Sequence, residues 1–298
     1  MSALIIDGKK IAEDIRREAR EAALQLKAKK GIVPGLAFIL VGEDPGSQSY
    51  VRSKGKACAE LEFYSVTEKV EASISEAKIF SMIDAFNRDP KIHGILVQLP
   101  LPKHINEQKI IEAISPEKDV DGFHPINIGR MMIGAEAFYP CTPAGIWELL
   151  KRSNINPAGK HVVVVGRSNI VGKPIANILM QKREWCNAIV TVAHTAAPDL
   201  SYYTHQADIL IAAIGKAHAI TSSMVQPGVV VIDVGINRVE DRTTKTGYRI
   251  VGDVDFDAVK EVAGAITPVP GGVGPMTIAM LMMNTLKSAQ RSQNSAQL

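Results

Sequence analysis

The chain has 298 residues, 46% of them hydrophobic and 22% charged, which is the composition of a globular protein with material for two cores and excludes a disordered or fibrous one. Its net charge of +3 comes without a basic stripe, which argues against a nucleic-acid partner, and its apolar runs stop well short of a membrane span. Cys58, Cys141 and Cys186 lie far apart with no C-x-x-C pair, so neither a disulfide framework nor a zinc site is expected, and no metal. The opening MSALIIDGKKIAED includes Glu13 and Asp14 and has no secretory or transit pattern, so a cytoplasmic location is expected.

In chain order, Ile11, Ile15, Ala19, Ala22 and Leu26 recur at helical spacing and predict an amphipathic helix ended by Gly31. Gly35 to Gly42 predicts a buried strand, followed by a helix from about Ser47 to Leu61. Phe63 to Val70 is a second strand, ISEAKIFSMIDAFNRD a second helix, and Ile92 to Leu101 a third strand closed by prolines. A second series starts after PCTP (Pro140 to Pro143). It has strands at Lys160 to Gly166, Ala188 to Ala193, Asp208 to Gly215 and Val229 to Asp233, with a helix from about Gly172. Such alternation implies crossover connections and parallel sheets, hence an α/β protein of two domains. The boundary falls near residue 140. Met276 to Ser288 is apolar with helical patterning and is expected to pack back on the first domain, while the last ten residues are expected to fray.

Five segments carry chemistry. In VVVVGRSNIVGKP (Val162 to Pro174) a buried strand enters a glycine-bounded loop and a helix, whose first amides suit a pyrophosphate. Ser168 stands where a G-x-G-x-x-G loop has its middle glycine, and an ordinary strand-to-helix turn has the same pattern. The next strand ends in His194 and Thr195 with no acid to bind ribose hydroxyls, while Arg167 suits a 2′-phosphate, which tilts the cofactor towards NADP, with NAD also possible.

In SQSYVRSK, Tyr50 and Lys54 stand at i and i+4 on one helix face, with Cys58 and Leu61 continuing the stripe. Partial burial of Lys54 favours a neutral amine able to act as a base; a snorkelling lysine with its head in water has the same spacing. Arg52 and Lys56 beside it suit an anionic substrate tail or a solvated face. In GILVQLPLP, Gln98 sits near the carboxyl end of an apolar strand, where open parallel sheets bind ligands; a core glutamine paired with backbone fits too. DVDGFHP offers Asp119 and Asp121 before a glycine turn, for turn formation and one substrate contact. TPVPGGVGPMT (Thr267 to Thr277) implies a rigid loop with close backbone approach to a ligand and a helix beginning near its last proline.

YVRSK, VQLPLP, DVDGF, PCTP, GRSNIVGKP, VIDVGIN (Val231 to Asn237), GDVDF (Gly252 to Phe256) and TPVPGGVGPMT, in this order from Tyr50 to Thr277, resemble the bifunctional methylenetetrahydrofolate dehydrogenase/methenyltetrahydrofolate cyclohydrolases. The resemblance implies a folate-binding catalytic domain at 1–140, completed by a C-terminal helix at 276–298, and a Rossmann-type NAD(P)-binding domain at 141–275. It implies a homodimer that acts on one-carbon tetrahydrofolate derivatives, oxidising 5,10-methylenetetrahydrofolate with NADP and hydrolysing the methenyl product to 10-formyltetrahydrofolate.

Residue by residue, Lys54 matches the catalytic lysine, Tyr50 the aromatic that stacks on the pterin, Gln98 the amide that tunes the lysine, and Asp121 the carboxylate that binds the pterin ring. Further substrate contacts are expected at Ser47, Leu99, Pro100, Gly271 and Gly272. Cofactor contacts are expected at Gly166, Arg167, Ser168, Gly172, Pro174, His194, Thr195, Ile236 and Thr277. Two departures stand out: TAAPDL after His194 lacks the family's frequent basic residue and hydroxyl, and REWCNA (Arg183 to Ala188) lengthens a helix-to-strand link. A shikimate-type dehydrogenase would keep the cofactor loop but leave Gln98 and the Tyr50–Lys54 pair without a role. A non-catalytic nucleotide sensor would have no use for Lys54, Gln98 and Asp121.

Overall fold

The computed structural model describes residues 3–244 and 247–292. The first half runs β1 (Leu4–Ile5), α1 (Gly8–Lys30), β2 (Gly35–Val41), α2 (Pro45–Glu60), β3 (Tyr64–Val70), α3 (Glu76–Arg88) and β4 (Gly94–Val97). Three helices follow, α4 (Glu107–Ala113), α5 (Pro125–Met132) and α6 (Cys141–Arg152). The second series is β5 (His161–Val165), α7 (Gly172–Met180), β6 (Ile189–Ala193), α8 (Ser201–Thr204), β7 (Ile209–Ala212), β8 (Val230–Asp233), β9 (Asn237–Glu240), β10 (Tyr248–Val251), α9 (Phe256–Val259), β11 (Ala265–Ile266) and α10 (Val273–Arg291).

The chain divides into two compact units. One comprises Glu13–Cys141 with the stretch from Ile278 onward; the other takes the stretch up to Ala12 and Thr142–Thr277. In the first unit, β3, β2 and β4 form a parallel sheet with β2 in the middle. Every residue of β2 is buried, as expected of a strand covered on both faces. On one face lie Leu36, Phe38, Leu40 and Leu96 with Val51, Cys58 and Leu61 of α2 and Leu281, Met282 and Leu286 of α10. On the other, Ala37, Ile39, Ile95 and Val97 meet Ile79 and Ile83 of α3. Side chains of β2 alternate between the two cores with the period of a strand.

In the second unit the described residues form a six-stranded sheet in the order β1-β11-β8-β7-β5-β6, parallel throughout. Chain order reverses beside β5, whose neighbours are β6 and β7, so the carboxyl ends of β5 and β7 flank the crevice where such sheets take ligands. β9 and β10 make a separate antiparallel ribbon.

Several boundaries differ from the sequence reading. Residues 3–12 group with the second unit, not the 1–140 domain, because Leu4 and Ile5 pair in parallel with Ala265 and Ile266. The third strand is only Gly94–Val97, since proline at 100 and 102 supplies no ladder donor and the chain turns away at Gln98. The last helix starts at Val273, three residues before the expected 276, with Pro275 inside its first turn where a missing N–H costs nothing. The end of the segment expected to fray, 293–298, lies outside the described residues. α1 stops at Lys30, where Gly31 takes φ +70°. None of the described helices is long and apolar enough to cross a membrane, and no group of three or more His, Cys, Asp or Glu among the described residues is placed to hold a metal.

Candidate active site

α2 is started by Asp44, whose carboxylate accepts from Ser47 N at 2.7 Å, with Pro45 in the first helical position. The helix then lays Ser47, Val51, Lys54, Ala57 and Cys58 inward. Lys54 is 7% exposed, and its Nζ donates to Gln98 Oε1 at 3.1 Å. Gln98, just past β4, is itself fixed: its N bonds Ile39 O at 2.9 Å and its Nε2 donates to Leu99 O at 2.7 Å. That second bond settles which amide atom faces the lysine, since an N–H pointing at Nζ would meet another donor. Tyr50, one turn before Lys54, is 45% exposed and free to offer its ring face. Ser47 is buried, Leu99 half-buried and Pro100 exposed.

Asp121 lies near Lys54. Burial holds its carboxyl above the ordinary range, while Lys54 and a hydrogen bond from Cys141 pull the other way. Cys141 is fully buried, which keeps its thiol protonated, and its Sγ lies 3.3 Å from Val120 O as a second acceptor within reach. Asn284 of α10 donates to Val120 O at 2.8 Å and Tyr139 O at 3.2 Å, tying the segment before Asp121 to the segment before Cys141. Gly122 has φ +75°, and a Cβ there would stand 2.5 Å from the Tyr139 carbonyl carbon. Asp119 faces inward at 2% exposure and accepts from Phe123 N, His124 N and Asn127 Nδ2, so it builds the turn that presents Asp121.

In the other unit, Gly166 ends β5 with φ +130°. A Cβ on it would lie 2.2 Å from Ala213 O, and one on Gly172 would lie 2.2 Å from Gly166 O. These contacts make a cradle that only glycine permits, of the kind that lets a backbone approach a pyrophosphate. Ser168 Oγ accepts from Val171 N at 3.1 Å and Gly172 N at 3.3 Å, so the amides expected to hold a phosphate are here capped by the serine. A phosphate would bond through that hydroxyl or displace it. Arg167 and Thr195 are exposed, Pro174 is buried in α7, and His194 Nδ1 accepts from Ala196 N at 3.2 Å.

A cavity of about 220 Å³ follows β8, lined by Asp233 to Ile236, Ile250 and the loop from Pro268 to Pro275, Gly271 and Gly272 included. Thr277 Oγ1 bonds Thr142 Oγ1 at 2.9 Å. The expected residues therefore gather in two sets. Ser47, Tyr50, Lys54, Gln98, Leu99, Pro100 and Asp121 belong to the first unit, and Gly271, Gly272 and the nine expected cofactor residues to the second. Sequence reasoning did not single out the buried acids Asp233 and Asp253. Their only signal was an acid within two residues of a glycine in VIDVGIN and GDVDF, which also reads as a turn.

Two family descriptions match the chain. Tetrahydrofolate dehydrogenase/cyclohydrolase, catalytic domain, matches residues 6–121, and the NAD(P)-binding domain of the same family matches residues 140–293. A protein of Prosthecochloris aestuarii named Bifunctional protein FolD is 57% identical over 293 residues, covering 98% of this chain and 99% of its own length. The solved structure of bifunctional FolD, methylenetetrahydrofolate dehydrogenase/cyclohydrolase, from Campylobacter jejuni has a TM-score of 0.92 at 48% identity, over 97% of this chain and 99% of that one. The methylenetetrahydrofolate dehydrogenase-cyclohydrolase of Trypanosoma brucei, solved with NADP cofactor and inhibitor, has a TM-score of 0.93 at 38% identity, over 98% and 99%. Matched in order by both domain descriptions and along nearly its whole length by such relatives, the chain belongs to the tetrahydrofolate dehydrogenase/cyclohydrolase family.

Proposed function

We propose that the chain oxidises 5,10-methylenetetrahydrofolate to 5,10-methenyltetrahydrofolate with NADP⁺ and then hydrolyses the product to 10-formyltetrahydrofolate. The observation that carries this reading is the buried Lys54 amine held 3.1 Å from Gln98 Oε1, with Asp121 beside it. The bridging carbon of the substrate lies between two nitrogens whose lone pairs stabilise the cation left when hydride departs, so oxidation asks chiefly for positioning. Tyr50 stacks on the pterin, and Asp121 accepts from its ring N–H groups. Hydrolysis differs, because water must lose a proton as it attacks. Lys54 mediates that transfer at Nζ while Gln98 aims the amine.

The glycine cradle at Gly166 and Gly172 fits a dinucleotide, which when bound supplies the hydride acceptor. Arg167 pairs with a 2′-phosphate. After β6 the chain offers no acid for ribose hydroxyls before Asp199, which supports NADP over NAD. The active species is a homodimer in the cytoplasm; sedimentation at the 32.2 kDa monomer mass would reject the dimer.

The test is an initial-rate assay with 5,10-methylenetetrahydrofolate and either NADP⁺ or NAD⁺, following reduced cofactor and methenyl product separately. Reduction that favours NADP⁺, without lasting methenyl accumulation, is expected. No reduction with either nucleotide would reject the dehydrogenase reading.

A further inference from the structure

Two buried carboxylates in the nucleotide-binding unit organise its loops. Asp253, 0% exposed, gathers four donors: its Oδ2 accepts from Ile214 N at 2.6 Å and Gly215 N at 2.8 Å, and its Oδ1 from Lys216 N at 3.0 Å and Asn237 Nδ2 at 2.9 Å. Three successive amides facing one carboxyl group form the kind of concavity that takes an acceptor, and here the chain supplies that acceptor from its own side chain. Asp233, 2% exposed, holds the next segments: its Oδ1 accepts from Gly235 N and Asp253 N, both at 2.9 Å, and its Oδ2 from Val254 N at 3.0 Å. Two glycines make room for the pair. A Cβ at 235 would lie 2.3 Å from Asp253 Oδ1, and one at 252 would lie 1.8 Å from Asp233 Oδ2.

What these acids hold is placed at the crevice. The turn at 214–216 directly follows Ala213, whose carbonyl closes on Gly166 at the reversal of strand order. Ile236, 51% exposed and lining the cavity after β8, is clamped on both sides, through Gly235 by Asp233 and through Asn237 by Asp253. We infer that Asp253 and Asp233 are positioning residues for hydride transfer, setting the 214–216 turn and Ile236 against the nicotinamide end of the dinucleotide. The inference rests on the dehydrogenase reading above. It separates the two activities, because the hydrolysis consumes no nucleotide.

The test is Asp253→Asn, which keeps the side chain's shape but turns an N–H towards amides that need an acceptor. With buried donors left unpaired, the NADP⁺ KM should rise, and kcat for hydride transfer fall, to a combined loss of about tenfold or more. Hydrolysis of supplied methenyltetrahydrofolate should stay within about twofold of wild type, since no group that contacts that substrate has changed. If Asp253→Asn does not melt cooperatively, Asn237→Ala removes a single donor and should move the NADP⁺ KM the same way by about threefold. An unchanged NADP⁺ KM in a folded variant, or parallel loss of both activities, would overturn the inference. Wild-type chain that reduces neither nucleotide would instead remove the dehydrogenase reading, and the inference with it.

Discussion

At the scale of single residues, the decisive feature is that one amine and one amide are both locked before any substrate arrives. Gln98 spends its Nε2 on the neighbouring backbone, leaving only an oxygen for Lys54. Lys54→Met should therefore abolish methenyl hydrolysis, a loss of about 10² to 10⁴ if the amine carries the proton transfer, with the far-ultraviolet spectrum unchanged. Hydrolysis at the wild-type rate by that variant would sink the assignment. The pair was legible in the sequence, because helical spacing put Lys54 on an apolar stripe and Gln98 interrupted an apolar strand. The turn-forming role of Asp119 was legible too, but Asp233 and Asp253 were not legible as organisers. What a buried carboxylate does depends on which amides the fold brings to it, and most of Asp253's donors lie nearly forty residues away in sequence.

At the scale of elements, the parallel strands announced themselves wherever they were long enough to show a run of apolar residues. β1 and β11 have two residues each and carry no periodicity at all; their existence follows from partners already in place. The β9–β10 ribbon was hidden for another reason: its residues are half-exposed and charged, so it lacks the apolar run that marks a core strand. Asn106 and His124, which cap α4 and α5, were similarly unremarkable until the turns before them were seen. The strand-to-helix joint at Gly166 yields a sharp expectation. Gly166→Ala combines a left-handed backbone with a clash against Ala213 O, so it should cost about 2 kcal/mol or more and abolish the rise in melting temperature on adding NADP⁺. Gly31→Ala, where φ is +70° but nothing lies within 4 Å, should cost only about 1 kcal/mol and leave that rise intact. Equal behaviour of the two variants would show that the cradle at Gly166 is not a constraint.

For the whole molecule, each unit carries one buried acid pushed up to about 6 by desolvation: Asp119 in the first and Asp233 in the second. Both therefore hold a proton in the folded chain at pH values where the unfolded chain, with ordinary carboxyls near about 4, has released it. Their contribution to stability is complete below the unfolded value and is lost as pH rises through the folded one. Between about pH 4 and 7 each should cost on the order of 2 kcal/mol. Urea unfolding across that range should show the wild type losing more stability than Asp119→Asn; identical slopes would contradict the role given to that carboxyl.

The strand that opens the chain and the helix that closes it each belong to the unit built mainly from the opposite half of the sequence. During synthesis, the first unit waits for Leu281, Met282 and Leu286 to complete its core, so it is finished only after Thr142–Thr277 of the second has been made. No single cut can release either unit intact. A gene fragment ending near residue 141 would encode Lys54 and Gln98 without the helix that completes the core of their unit, which makes the two units inseparable as pieces of inheritance.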